Sequence, residues 1–308
     1  MSKIAFIVNP HAGNGSAGSN WPAIETLAKD RLGPFETYMT ERPGDAIMFA
    51  KDAVATEARL VICVGGDGTL NEIVNGIMMH EESVRSEVTL GFVPDGTGCD
   101  FVRTVSIPAD LEHAIDLIAA GPVRNIDLGK LSFRDHHGSD CFRYFHNVTS
   151  FGLGGEVARR VNNTTKAFGP FISFIWATLI SIFLYGKKRI RIRVDKDFEQ
   201  EFFVWNVAVA NGQYHGGGMW VAPGASVDDG LFNVTVIGDL TIPEVFSSLP
   251  KLYNGRINDI SKVVTLAGEK IEALSDQRVL LDVDGEQPGT LPIVINMLPG
   301  ALKIITNG

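Results

Sequence analysis

Over residues 3–128, short apolar runs alternate with stretches whose apolar positions recur at helical spacing. Lys3–Val8, Phe35–Thr40, Leu60–Val64 and Leu90–Val93 read as strands, with amphipathic helices over Trp21–Leu32, Asp45–Ala55, Leu70–Met79 and Ala109–Ala119. That alternation predicts a parallel sheet covered by helices. After Asp127-Leu128-Gly129 the rhythm changes. Arg143–Thr149, Arg189–Asp195, Glu201–Ala210, Leu231–Val236, Lys262–Leu266, Val279–Val283 and Pro292–Ile295 read as strands with few helices between them, Pro243–Tyr253 being one. A mostly antiparallel β domain is expected there. The expected boundaries are 1–128 for an α/β domain, with the closing residues 297–308 free to return to it, and 129–296 for the β domain.

The stretch Phe168–Gly186 is almost free of charge and raises the question of a membrane span. Gly169-Pro170 shortens its helix and strand patterns continue on both sides, which argues against spanning. A buried core helix and a partly exposed apolar helix touching lipid both fit the pattern. The cationic run Lys187-Lys188-Arg189 directly after it favours lipid contact, since anionic head groups attract such clusters.

At 308 residues the chain is long enough for two domains with a large core. Its formal net charge of -9 argues against a duplex nucleic-acid binder, which needs a basic face. Cys63, Cys99 and Cys141 are odd in number and lack metal-ligand spacing, so reduced thiols and a cytoplasmic setting are expected. The apolar run at the start is too short for a signal peptide.

Candidate chemistry lies where strands end. Gly65-Gly66-Asp67-Gly68-Thr69 follows an apolar strand and opens a helix. In open α/β sheets ligands bind beyond the carboxyl ends of strands, and glycines there let backbone N–H groups approach a phosphate. Asp67 is thus a candidate for metal or proton chemistry, although a three-glycine turn alone also fits an ordinary strand-to-helix connection. The first strand ends in Asn9-Pro10-His11-Ala12-Gly13-Asn14-Gly15 and the fourth in Pro94-Asp95-Gly96-Thr97-Gly98-Cys99-Asp100. Downstream, Asp282-Val283-Asp284-Gly285-Glu286 offers an acidic tight turn. Neither a Walker loop nor a protein-kinase catalytic loop is present, so any phosphates must be carried by these turns.

Five pieces in order resemble the diacylglycerol kinase catalytic-domain family, the bacterial lipid kinases related to sphingosine and ceramide kinases. They are Asn9-Pro10-x-Ala12-Gly13; Gly65-Gly66-Asp67-Gly68-Thr69 with Asn71-Glu72; Pro94-x-Gly96-Thr97-x-x-Asp100-Phe101-x-Arg103; Pro223-x-Ala225-x-x-Asp228-Asp229-Gly230; and Asp284-Gly285-Glu286. The resemblance implies an α/β plus β fold: an N-terminal three-layer α/β nucleotide-binding domain and a C-terminal, mostly antiparallel β-sandwich domain for the lipid. It further implies transfer of the γ-phosphoryl group of ATP to a lipid hydroxyl, diacylglycerol-like for preference. By the same resemblance Asn9, Pro10, His11, Ala12, Gly13, Thr40, Gly65, Gly66, Asp67, Gly68, Thr69, Leu70, Asn71 and Thr97 would line the nucleotide. Asp67 would act on the catalytic Mg²⁺, Asp100 would support it, and Glu286 would accept the hydroxyl proton. Asp229, with the backbone carbonyls of Ser226 and Leu231, resembles the holder of a second, structural Mg²⁺.

Two positions depart from the family pattern. Cys99 stands where Asn is common, and Ala12 where many relatives have Ser. A thiol hydrogen-bonds weakly compared with an amide, which alters the network at that turn. Gly216-Gly217-Gly218 after His215 fits either a flexible loop at the lipid entrance or a plain hairpin, and His215 itself fits a surface or packed histidine. The implied partners are a lipid substrate and, transiently, a membrane surface, with no nucleic acid; a homodimer is compatible. The competing functions are a kinase for a soluble substrate, of the NAD kinase type, and a non-catalytic lipid or nucleotide sensor.

Overall fold

The computed structural model describes residues 3–163 and 170–307, with backbone alone over 162, 163 and 170–175. The chain divides into two compact units, Met1–Leu128 with Pro299–Gly308, and Gly129–Leu298.

The first unit is built on β1 (Lys3–Val8), α1 (Ala12–Leu32), β2 (Glu36–Met39), α2 (Asp45–Ala55), β3 (Ala58–Gly65), α3 (Asp67–Ile77), α4 (Glu82–Arg85), β4 (Thr89–Pro94), α5 (Asp100–Thr104) and α6 (Leu111–Ala120). Its strands run parallel in the order β2-β1-β3-β4, and the last residues of the chain add Lys303 and Ile304 beside Thr89 and Leu90. Central strands buried on both faces explain the unbroken apolar runs: Ala5–Val8, Val61–Val64 and Leu90–Val93 are buried. Helix α1 faces inward with Ala17, Trp21, Ile24 and Ala28, at helical spacing, and Trp21 meets Phe6 at 5.6 Å between ring centroids. Helices α2 and α3 cross closely at Gly76, where a Cβ would come 2.3 Å from the Ile47 carbonyl oxygen.

The second unit comprises the remainder of β5 (Val123–Arg134), then β6 (Asp140–Phe145), β7 (Val148–Gly152), α7 (Leu153–Asn163), α8 (Pro170–Leu184), β8 (Lys188–Val194), β9 (Phe198–Val204), β10 (Asn206–Ala210), β11 (Tyr214–His215), β12 (Met219–Trp220), β13 (Phe232–Ile237), α9 (Ile242–Tyr253), β14 (Val263–Gly268), β15 (Lys270–Leu274), β16 (Leu281–Val283) and β17 (Thr290–Ile305). One antiparallel sheet runs β14-β13-β10-β7-β16; facing it, β17, β15, β8 and β9 pair antiparallel, with the β5–β6 hairpin joining through β5 and β17. Phe145, Phe151, Val207, Val209 and Phe232 of the first sheet and its approach meet Ile190, Ile192, Ile271, Ile293 and Ile295 in one buried cluster. This is a β-sandwich core, two inner faces of alternating side chains.

Several sequence expectations need correction. The strand expected over Arg143–Thr149 is two strands, broken at His146-Asn147, because the backbone N–H groups there donate to the Asp284 carboxylate instead of a neighbouring strand. The strand expected over Glu201–Ala210 is also two, separated by Trp205, whose backbone N–H donates to the Ile237 carbonyl and whose indole N–H donates to Leu240. Helix α7 and strands β5 and β15 have no counterpart among the elements the sequence pattern predicts. Of the two forms open to Gly216–Gly218, the structure has the hairpin: all three, at positive φ, turn β11 into β12. Of the charge-free stretch, Phe168 and Gly169 lie outside the described residues.

Candidate active site

The strand order β2-β1-β3-β4 reverses direction between β1 and β3, and the crevice beyond the carboxyl ends at such a switch point is the ligand position of open α/β sheets. The turns after β1, β3 and β4 all open there. Asn9 leaves β1 with its N–H on the Val64 carbonyl, and its Nδ2 donates to Thr69 Oγ1 at 2.9 Å; its Oδ1 accepts the His11 N–H at 3.1 Å. One amide side chain therefore ties the first turn to the glycine-rich turn. Residues Gly13, Asn14 and Gly15 then take left-handed conformations in succession before α1 winds regularly, so the segment expected to begin a helix at Trp21 starts earlier, after this turn.

Asp67 is the first residue of α3. Its Oδ2 accepts the Asp100 N–H at 2.8 Å and its Oδ1 the Phe101 N–H at 3.4 Å, so the carboxylate sits at the start of α5. The β3 and β4 turns also touch through their backbones. The Asp95 N–H donates to the Gly65 carbonyl at 2.8 Å, and a Cβ on Gly96 would lie 2.5 Å from Gly66 Cα. Only glycine permits that approach. By contrast a Cβ on Gly15 or Gly68 would meet nothing within 4 Å, so those backbone stretches face open space into which a ligand can come.

The residues singled out on sequence therefore divide. Asn9, Thr69, Gly65, Gly66, Asp67 and Asp100 are brought together by direct contacts. Thr40 is buried at the end of β2, its N–H on the Val8 carbonyl; Leu70 and Asn71 are buried on α3; Thr97 is exposed at the β4 turn. Three residues carry roles that spacing did not reveal. Asp95 accepts from Ser16 Oγ at 2.5 Å and Asn20 Nδ2 at 2.8 Å, which links the β4 turn to α1. Glu72 accepts the Gly44 and Ala46 N–H groups at 2.8 and 3.2 Å and so caps α2. Cys99 is held at a left-handed φ of 45°, and its burial together with the Asp67 charge pushes the thiol up to about 12.

The second unit holds the acidic turn. Val283 and Glu286 exchange backbone hydrogen bonds of 2.8 and 3.0 Å around Asp284 and Gly285, at φ 47° and 91°. Two left-handed residues joining paired ends match the tight Asp-Gly hairpin turn. Glu286 emerges from it exposed. Asp284 points the other way: fully buried, it accepts the backbone N–H groups of His146, Asn147 and Val148 at 3.1, 3.3 and 2.9 Å and lies 3.0 Å from His146 Nδ1. Burial alone would raise this carboxyl, but the adjacent His146 and the backbone donors outweigh it and hold it below the ordinary value. His215 Nε2 stands 2.9 Å from Asp282 Oδ2, and the other Asp282 oxygen accepts the Gly285 N–H at 2.9 Å. Two histidines far away in sequence thus brace the turn that presents Glu286.

At the remaining candidate site, Asp229 Oδ1 accepts the Leu231 N–H at 3.0 Å and Ser226 Oγ donates to Asp228 at 2.7 Å. No cluster of three or more His, Cys, Asp or Glu side chains suited to a metal occurs among the described residues.

Residues 3–131 match the diacylglycerol kinase catalytic domain, and residues 147–306 match the YegS C-terminal NAD kinase beta sandwich-like domain. A diacylglycerol kinase of Staphylococcus carnosus (strain TM300) is 30% identical over 313 residues, spanning 99% of this chain and 96% of that protein. The chain belongs to the diacylglycerol kinase family. Another member, the diacylglycerol kinase of Staphylococcus aureus (strain MRSA252), is 31% identical over 95% of this chain and 89% of its own length. Among solved family structures, one from Bacillus anthracis str. Sterne superposes with a TM-score of 0.80 at 27% identity, covering 99% of this chain and 95% of that one. Family membership agrees with the resemblance drawn from the five motifs, and with the expected α/β plus β-sandwich architecture. A kinase of this family uses ATP, and the oxygen-rich, glycine-lined turns of the first unit suit phosphates and a hard cation.

Proposed function

We propose that the protein is an ATP-dependent lipid kinase whose acceptor is the hydroxyl of a diacylglycerol-like lipid. The observation that carries this is the set of glycine turns at the β1–β3 switch point, cross-tied by Asn9–Thr69 and by Asp67 on the Asp100 N–H, in a chain of the diacylglycerol kinase family. In this assignment Asn9 to Gly13, Thr40, Gly65 to Asn71 and Thr97 hold the nucleotide, and Asp67 would act on Mg²⁺ with Asp100 in support. When bound, ATP and Mg²⁺ supply the phosphoryl group and the neutralising charge. The protein contributes position and a proton acceptor. Glu286, exposed where the chain leaves a braced two-residue turn, takes the proton from the lipid hydroxyl, and Asp282 and Asp284 fix that turn.

The same proposal places the enzyme in the cytoplasm, meeting a membrane transiently and feeding phospholipid synthesis. A structural Mg²⁺ on the Asp229 turn, with the Ser226 and Leu231 carbonyls, completes it; Mg²⁺ should raise the melting temperature without ATP, and Asp229→Ala should erase much of that shift. The competing reading is phosphorylation of NAD. Incubation with labelled ATP, a panel of diacylglycerol, monoacylglycerol, phosphatidylglycerol and sphingoid base, and NAD separates the two. Label in a lipid supports the proposal, and label in NAD alone overturns it.

A further inference from the structure

Over its described side chains, 176–184, helix α8 is seated by one side and exposed on the other, where Phe183 meets the ring of Phe246 at 6.0 Å between centroids. Ile182 is buried in a cluster with Trp205, Leu240, Ile257 and Ile260, and Ala177 and Ser181 are buried beside it. Trp176, Ile180, Phe183 and Leu184 are 61%, 41%, 63% and 68% exposed. Their spacing of four, three and one puts all four within about 100° of the helix circumference, opposite the seated side. The 15 residues Pro170–Leu184 contain no charge, yet no helix among the described residues is long and apolar enough to cross a membrane. At 1.5 Å per residue the helix measures roughly 22 Å, short of a hydrocarbon core of about 30 Å.

Immediately beyond the helix the charge inverts. Residues 187–193 hold five cations and no acid in a chain of net charge -9. Lys187 pairs with Asp239, Arg189 with Glu201 and Arg193 with Glu272, and Arg191 stands opposite Glu201 on β9, on the other face of β8 from Lys188; Lys188 has no acidic partner among the described residues. Lys188 lies 5.9 Å from the Tyr185 ring, and its main chain stands within about 14 Å of Leu184, the most that four residues can span. An apolar stripe with a tryptophan, bordered by an unpaired cation, is complementary to a bilayer that offers acyl chains below anionic head groups. A second copy of the chain fits less well, because a two-fold interface on this stripe would bring the two Lys188 charges together.

We propose that the Trp176/Ile180/Phe183/Leu184 stripe, with Lys188, is a docking face on which the protein lies in the interface of an anionic bilayer. The choice of a bilayer rests on the lipid-kinase assignment. The face seats the helix in the headgroup and upper acyl region while its Ile182 side stays in the protein.

The test uses full-length protein, no ATP, and vesicles of phosphatidylcholine with or without phosphatidylglycerol. Parent protein should cosediment with the anionic vesicles, and its tryptophan emission should shift to the blue by an amount that Trp176→Phe abolishes. The double variant Phe183→Glu/Leu184→Glu should lose about tenfold or more in partitioning, and Lys188→Glu should lose less, only on anionic vesicles. Because these side chains are exposed, the far-ultraviolet circular dichroism should not change. Unchanged partitioning of the folded double variant, or no Trp176-dependent shift in the parent, overturns docking by this face. A parent dimer that the double variant converts to monomer, with vesicle binding unaltered, also overturns it and assigns the stripe to self-association. Activity on a short-chain diacylglycerol dissolved as monomers keeps the two readings apart. It should stay within about twofold of the parent in the double variant. Absence of that activity in the parent contradicts the kinase assignment while the vesicle data still decide the docking face.

Discussion

Asp284 is the residue whose removal tests the architecture of the acidic turn most sharply. Its carboxylate is fully buried and accepts three backbone N–H groups at the break between β6 and β7. Asp284→Ala leaves those donors without their acceptor, at about 1–3 kcal/mol for each that stays dry. It also places alanine at a φ of 47°, which costs an ordinary residue about 1–2 kcal/mol. Relaxation and water recover part of the sum, so a loss of about 3–5 kcal/mol is expected, the scale for breaking a buried charged pair. Asp284→Asn keeps an acceptor and tolerates the left-handed conformation, so it should lose about half as much. A two-unit chain need not unfold in one step, so the readout is hydrogen exchange of the peptide over 146–152, where protection should fall by about 10²–10⁴-fold in the alanine variant.

The same group gives a pH dependence. Because the folded carboxyl lies below its ordinary value of about 3.9, its stabilisation is complete above that pH and is lost as the pH falls through the folded value. The parent should therefore lose protection below about pH 4, and Asp284→Asn should lack that component. Exchange within threefold of the parent in Asp284→Ala, or an identical acid profile in the asparagine variant, would refute the assigned role.

Asp67→Asn retains an oxygen for the Asp100 N–H, so thermal stability should fall little while phosphoryl transfer falls by about 10³-fold; a folded variant with near-parent turnover would remove Asp67 from metal chemistry. Gly96→Ala drives a Cβ to 2.5 Å from Gly66 Cα, and the separation of the two turns should weaken ATP binding about tenfold, which calorimetric titration checks. With its thiol pushed up to about 12, Cys99 should alkylate with iodoacetamide at pH 8 about 10³-fold more slowly than a free thiol, and mass spectrometry that found comparable rates would contradict the burial described.

The first unit was largely legible because its information is local. Strands buried on both faces read as apolar runs, α2 carries an uninterrupted helical period, and glycine turns at strand ends announce themselves. The second unit hid what depends on distant partners. Alternation continues through His146-Asn147, so nothing nearby shows that their N–H groups belong to Asp284, more than a hundred residues on. Helix α7 was obscured by Gly154-Gly155, poor helix formers whose reason is close packing: a Cβ on Gly155 would lie 2.3 Å from the Leu280 carbonyl oxygen. The pairing of His215 with Asp282 left no signal, since side chains that meet across 67 positions impose no spacing on either. The charge-free helix was legible as a helix, but which side is exposed required the packing of Ile182.

Glu286 is proposed as the base that accepts the proton of a lipid hydroxyl attacking ATP. The direct measurement of that role is single-turnover phosphorylation of a soluble short-chain diacylglycerol by parent and Glu286→Gln at saturating ATP. The rate in the variant should be lower by about 10²–10⁴-fold, with ATP affinity unchanged. A preserved maximal rate, or a defect confined to ATP affinity, would contradict it.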